Sequence, residues 1–144
     1  MANIKLQDIS VVERAFANAL TTHSQVPGQF FLARFLGFQI TYEGETCVVE
    51  FDVHEFLTNP GGVLHGGVLA TALDISMGHL IWHIENGGAT VDLNVQFHRA
   101  VATGRICCVA SIIHRTHRMW FMRATATAEG VGIVASASGT FILK

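Results

Sequence analysis

From Thr46 to His54 the chain alternates: Cys47, Val49, Phe51 and Val53 are apolar, with Val48, Glu50 and Asp52 between them. Successive side chains of an extended strand point to opposite faces, so this two-residue period predicts a half-buried strand. Ahead of it, Gly44-Glu45 marks a hairpin from an earlier strand over 37–42. The clearest alternation comes later, where Val91, Leu93, Val95 and Phe97 interleave with Asp92, Asn94, Gln96 and His98. That two-residue period again predicts a strand. Three more strands are predicted over 105–114, 118–128 and 133–143, with turns at Thr116-His117 and Glu129-Gly130.

Two stretches carry a helical period instead. Near the start, Val12, Ala15, Phe16, Ala19 and Leu20 recur at helical spacing behind a Ser10…Glu13 capping box, which predicts a helix ending near Leu20. Between Thr21 and Arg34, Pro27, Gly28 and the Phe30-Phe31 pair predict a loop pinned onto the body by aromatics. The second helix, over 67–84, is apolar nearly all round, and a helix without a polar face must be enclosed. One enclosed helix and an antiparallel sheet of five or six strands predict an α+β fold with the sheet wrapped around the helix. Residues 35–144 then form the body, and residues 1–34 a helix and loop packed on it, in a single domain.

With 50% of 144 residues hydrophobic, the chain suffices for one real core. Mean hydropathy is +0.41, yet Asp74 and His79 interrupt the most apolar helix before it reaches the roughly 18 residues of a membrane span. No membrane partner is expected. The opening MANIKLQDISVVERAF has no apolar signal core and carries Asp8 and Glu13, unlike an acid-poor transit sequence, so a cytoplasmic location is expected. A net charge of -2 lacks the basic footprint of a nucleic-acid binder. Cys47, Cys107 and Cys108 form no CxxC pair and read as buried free thiols, the adjacent two on opposite faces of a strand.

The chemistry concentrates where Asn59-Pro60-Gly61-Gly62-Val63-Leu64-His65-Gly66-Gly67 runs into the enclosed helix, which holds one carboxylate, Asp74. The first N–H groups of a helix have no partner four residues upstream, and glycine lets a negative oxygen come close to them. That is the make-up of an oxyanion hole. A buried charge is costly, so Asp74 either caps or pairs with an arginine, or serves a reaction.

Asn59, His65-Gly66-Gly67, Asp74, Thr90-Val91-Asp92-Leu93-Asn94 and Phe97 together resemble the hotdog-fold acyl-CoA thioesterases of the PaaI-like, phenylacetate-degradation kind. Gly104-Arg105, the Arg115–Arg118 turn and Gly139-Thr140-Phe141 extend the likeness over about residues 35–144. Ala100 and Thr116 depart from the proline and glycine common in that family. The resemblance implies a helix as filling and strands as bun, with two subunits joined sheet edge to sheet edge and active sites at their interface. It implies Asp74 as the catalytic acid, nucleophile or base for water, and the Gly66 N–H as the group that polarises the thioester carbonyl. Asn59 would orient the reacting group or water, His65 stand beside the carbonyl, and Thr90 help hold the water. No cofactor is implied, since coenzyme A is part of the substrate.

On one helix, Gly66 and Asp74 lie about 12 Å apart, so no single carbonyl touches both. Gly66 of one subunit is therefore expected to meet Asp74 of another, in a homodimer or a homotetramer built as a dimer of dimers. The coenzyme is expected to lie against Gly67, with its phosphates held by Arg99, Arg105, Arg115 and Arg118 if these converge; the other reading of the arginines is solubilising charge. His114 and His117 are secondary candidates, and His54 and His98 read as strand-surface residues. His79 and His83, four apart on the helix, have zinc-binding spacing but no evident third ligand, so no metal is expected. Trp82 and Trp120 read as packing. Two rival functions share these residues: a hotdog enoyl-thioester hydratase or dehydratase, whose histidine is usually followed by a bulky residue and proline rather than Gly66-Gly67, and a non-catalytic acyl-CoA sensor.

Overall fold

The computed structural model describes residues 6–144; the first five residues, which begin both the opening stretch and the 1–34 segment, lie outside the described residues. In chain order come α1 (Ile9–Thr22), α2 (Phe31–Phe35), β1 (Gln39–Glu43), β2 (Thr46–Asp52), a 3-10 turn Glu55–Leu57, α3 (Gly66–Glu85), β3 (Gly88–Phe97), β4 (Arg105–Arg115), β5 (Met119–Ala128) and β6 (Gly132–Leu143). The strands form one antiparallel sheet of six in the order β1-β2-β4-β5-β6-β3. Helix α3 packs on its inner face against every strand, which is the hotdog arrangement expected.

The apolar composition of α3 is used as predicted: Leu69, Ala72, Leu73, Ile75, Met77, Leu80 and Ile81 are buried. They meet Trp120, Phe51, Phe141 and Ile106 of the sheet, all fully buried. Burying each such large side chain is worth about 1.5–3 kcal/mol, so this contact dominates the stability of the body. The helix stops where Asn86 adopts a left-handed conformation (φ 59°). Gly87 follows at φ 118°, and a Cβ there would stand 2.7 Å from the Trp82 ring.

Three local expectations need correction. The cap of α1 is Asp8, whose side chain accepts the Ser10 N–H at 3.0 Å; Ser10 lies inside the first turn, and the helix continues to Thr22. The segment before Arg34 is not all loop. Phe31 and Phe35, four apart, stack at 6.1 Å and receive the edge of Phe16 from α1, and this i,i+4 aromatic pair supports the single turn α2.

The third correction bears on chemistry. In β3, Thr90 pairs with Phe141 and Asp92 with Thr140, so Val91 is an unpaired bulge residue, 58% exposed. A bulge advances the alternation by one residue. Leu93 and Val95 point to the core, but before the bulge it is Thr90, opposite buried Phe141, that faces the helix.

Candidate active site

Asp74 sits half-buried in the middle of α3, and the bulged start of β3 brings Thr90 to it: Thr90 Oγ1 donates to Asp74 Oδ1 at 2.9 Å. Among the described residues the ion pairs are Arg105 with Glu50 and Asp52, and Arg115 with Glu45. Asp74 is therefore not a structural partner of an arginine. Its second oxygen, Oδ2, has no hydrogen-bond donor among the described residues.

At the other end of the site, the glycine-rich turn is built by its own side chains. Asn59 Oδ1 accepts the N–H of Gly61 at 2.9 Å and that of Val63 at 3.4 Å, leaving the Asn59 amide NH2 free of these bonds. His65 caps α3: its Nδ1 accepts the Gly67 N–H at 2.8 Å. An accepting Nδ1 places the ring proton of neutral His65 on Nε2, directed away from the helix start. Gly67 is thus not a free donor for a ligand. A Cβ there would stand 3.0 Å from His65 Nδ1, so glycine is what lets the imidazole fold over the helix mouth. The Gly66 N–H, by contrast, has no acceptor among the described residues.

Beside Gly66 opens a cavity of about 270 Å³ whose apolar walls are Leu64, Leu69, Phe97 and Val101, with His98 and Arg99 at its rim. The Phe97 ring lies 3.2 Å from where a Gly66 Cβ would be, so a side chain at 66 would press on the ring and make it give by a few tenths of an ångström. The sequence did not reveal these walls as a site. Leu64 and Val101 are 37 positions apart, and the 2.7 Å Leu64 N–H to Val101 carbonyl bond joins their segments. Asp74 does not line this cavity. Gly66 and Asp74 do lie on one continuous helix, about 12 Å apart along its axis.

The four arginines do not converge within a protomer. Arg105 begins β4 and Arg115 ends it, about 33 Å of strand away, with Arg99 near the first end and Arg118 in the turn beyond the second. Three of them are engaged. Arg105 meets Asp52 at 3.2 Å, Glu50 at 3.5 Å and Gln39 Oε1 at 2.7 Å. Arg115 pairs with Glu45 at 3.0 Å and lies over the Trp120 ring, while Arg99 donates to the Val131 carbonyl. The Arg118 guanidinium has no partner among the described residues.

His79, also on α3, is buried and accepts the Gly28 N–H through Nε2 at 2.9 Å, with the Phe30 ring 5.7 Å away. Burial pushes its pKa down, against the opposing pulls of the Ile75 carbonyl and the Asp74 charge. His83 stacks on Tyr42 at 4.2 Å, and no cluster of three metal-ligating side chains occurs among the described residues. Cys47 and Cys108 are buried; burial raises the Cys47 thiol to about 12 and the Cys108 thiol further, which makes both inert.

The sequence profile of the thioesterase superfamily matches residues 61–135, just over half the chain and inclusive of Gly66, Asp74 and Thr90. A candidate esterase of Saccharolobus solfataricus is 26% identical over 97 residues, a match covering 66% of this chain and 65% of that protein. The chain's match thus spans just under two thirds of that relative's length. Zebrafish thioesterase superfamily member 2 is 26% identical, with 94% of this chain and 96% of that one superposed at a TM-score of 0.72. A Bacillus halodurans protein solved with CoA is only 20% identical but superposes over 100% of this chain and 99% of its own at a TM-score of 0.84, a likeness of fold. No helix among the described residues is long and apolar enough to cross a membrane. Profile and fold agree, and the chain belongs to the thioesterase superfamily.

Proposed function

We propose that the protein is an acyl-CoA thioesterase of the PaaI-like kind, hydrolysing a CoA thioester to free acid and coenzyme A at a site shared by two subunits. The observation that carries this reading is the Thr90–Asp74 bond: a carboxylate held by one oxygen, unpaired with any arginine, its other oxygen available. Two reactions use that oxygen. In one, Oδ2 attacks the thioester carbon, the C–S bond breaks, the CoA thiolate leaves, and water then cleaves the mixed anhydride. In the other, Oδ2 takes a proton from water as that water attacks the same carbon. Either way the carbonyl oxygen becomes negative and calls for a donor about 3 Å away.

The Gly66 N–H is the donor suited to that oxygen, at a helix N-terminus beside an apolar cavity. Within one protomer it is too far from Asp74, so Gly66 of the partner subunit completes the site. Asn59 and His65 act first by shaping the turn. The free Asn59 NH2 and the His65 Nε2–H are then the side-chain donors closest in sequence to the carbonyl. Thr90 orients Asp74. Among the arginines, Arg118 is the one proposed to hold a coenzyme phosphate.

A panel of acyl-CoA esters assayed with a thiol-reactive dye tests the activity; release of no CoA from any ester, or hydration of an enoyl ester instead, removes the hydrolase reading. The shared site has its own test. Asp74→Asn and Gly66→Val are each expected to be inactive, and subunit exchange between them should restore about a quarter of wild-type activity, because half the dimers are mixed and each has one intact site. No restoration on exchange would place both groups within one subunit.

A further inference from the structure

We propose that residues 23–30 form an acid-released strap, docked on α3 while the His79 ring is neutral and let go, with helix and sheet still folded, when that ring takes up a proton. The segment joins α1 to α2 and takes no part in the chemistry proposed above. Its polar groups largely satisfy one another. The Ser24 N–H donates to the Gln29 carbonyl at 2.9 Å, the Gln29 N–H to the Val26 carbonyl at 3.1 Å, and Ser24 Oγ to Gln29 Oε1 at 3.0 Å. Pro27 followed by Gly28 at φ 78° is the signature of a type II turn, and it leaves the Gly28 N–H unused within the turn. That group makes the strap's one hydrogen bond to the body among the described residues, donating to His79 Nε2 at 2.9 Å.

Burial repeats the pattern. Within 23–30 only Gly28 and Phe30 are not exposed, and both meet the same ring, Phe30 with its centroid 5.7 Å from that of His79. Gly28 also faces Ile40 of β1, 3.9 Å from where a Cβ would stand. Helix α3, by contrast, is held by its apolar contacts with the sheet. A segment with few buried contacts opens at a lower free energy than the whole domain, so loosening the strap does not require unfolding the body.

Protonation acts on this contact through geometry. Because Nε2 accepts, the proton of the neutral ring sits on Nδ1, on the side of the Ile75 carbonyl. A second proton goes to Nε2 and sets two N–H groups face to face across 2.9 Å, with no acceptor left on the ring. The charge would also stand in a buried site. Of the elements around the ring, α3 supplies Asp74, whose charge pulls toward the protonated form, and His83, which stacks on Tyr42. Residues 23–36 hold no carboxylate; their ionisable groups are His23, bonded to the Ala19 carbonyl, and Arg34. Strand β1 carries Tyr42 and, at its end, Glu43, while β2 carries the buried Cys47 thiol, which burial keeps neutral. Burial outweighs Asp74 and holds the His79 pKa below its ordinary value. Docking is therefore complete above about pH 6.5 and is lost as the pH falls toward the lowered value.

Amide hydrogen exchange resolved by NMR tests the strap. Relative to the intrinsic rate at each pH, the Gly28 N–H should lose roughly tenfold in protection between pH 7.5 and 5.5, while the amides of α3 and β4 keep theirs. His79→Gln offers an acceptor that does not titrate, so its Gly28 protection should be the same at both pH values. His23→Gln, at an exposed ring, should keep the loss seen in the parent. The proposal is overturned if Gly28 protection in the parent is independent of pH, or if α3 and β4 lose protection along with it, which is acid unfolding of the whole domain. It is equally overturned if His79→Gln, folded by circular dichroism, shows the parent's loss, or if His23→Gln abolishes it.

Discussion

Asp74 and His79 lie five residues apart on the same enclosed helix, yet their surroundings give them opposite uses. Asp74 is half-buried and held through one oxygen by Thr90, with the second oxygen unbonded among the described residues. His79 is only 7% exposed, its Nε2 accepts the Gly28 N–H, and the Phe30 ring lies against it. A polar group whose bonding capacity is filled inside the core holds structure together, whereas one left partly unfilled beside a cleft is available for reaction. His79 therefore fastens the N-terminal segment to α3, and Asp74 is left available for the chemistry proposed for it.

The largest expected effect that would sharpen this contrast is at Asp74. Asp74→Asn keeps the shape and the Thr90 contact but removes the base or nucleophile, so kcat should fall by about 10³-fold or more while the melting temperature stays near that of the parent. Wild-type kcat in that variant would make Asp74 structural. His79→Leu should do the reverse. It leaves the half-buried Gly28 N–H without its acceptor, at a cost of about 1 kcal/mol in denaturant unfolding, with turnover per folded molecule preserved.

Thr90→Val comes next: the carboxylate loses its hydroxyl partner, and kcat should drop about tenfold, equivalent to about 1.4 kcal/mol, with KM little changed. The pH profile of stability separates the two groups further. Because burial lowers the His79 pKa, the fold favours the neutral ring; its contribution is complete above the unfolded value of about 6.5 and is lost as pH falls toward the lowered folded value. Thermal unfolding from pH 7.5 to 5 should show the parent losing stability more steeply than His79→Leu. The smallest effects concern the arginines. Arg118→Ala should raise KM for an acyl-CoA by a few-fold, since one exposed charge is worth about 1 kcal/mol, whereas Arg105→Ala should leave KM unchanged and slightly destabilise the β1–β2 edge.

Much of the fold was legible because α3 and the strands have unambiguous periods. The 67–84 apolar run became Gly66–Glu85, and the strand predictions over 105–114, 118–128 and 133–143 fall within two residues of β4, β5 and β6. What the periods hid was local. Asp8 displaced Ser10 as the cap of α1 because its carboxylate reaches the Ser10 N–H, and the Phe31–Phe35 stack made a helical turn where Pro27 and Gly28 suggested only loop. The regular alternation at 91–97 concealed the bulge, since which residue is left unpaired is set by β6, not by β3 itself.

The residue types at 59, 65, 66, 74 and 90 were apparent from the turn, the lone acid and the family resemblance. Their division of labour was not. That Gly67 is occupied by His65 depends on a rotamer of the imidazole, whereas that Arg105 is held by Glu50 and Asp52 and that the Arg99 and Arg118 ends lie a strand length apart follow from contacts between distant segments.

By itself the sequence determined an enclosed helix, an antiparallel sheet and a donor-rich turn ahead of one carboxylate, because hydrophobic period and turn chemistry are local properties of the chain. Only the tertiary structure decided that Thr90 rather than Val91 faces Asp74, and that Arg99 and Arg105 lie a strand length from Arg115 and Arg118. The bulge and the strand pairing that fix both are set by residues tens of positions away, whose influence acts only once the sheet has closed over the helix.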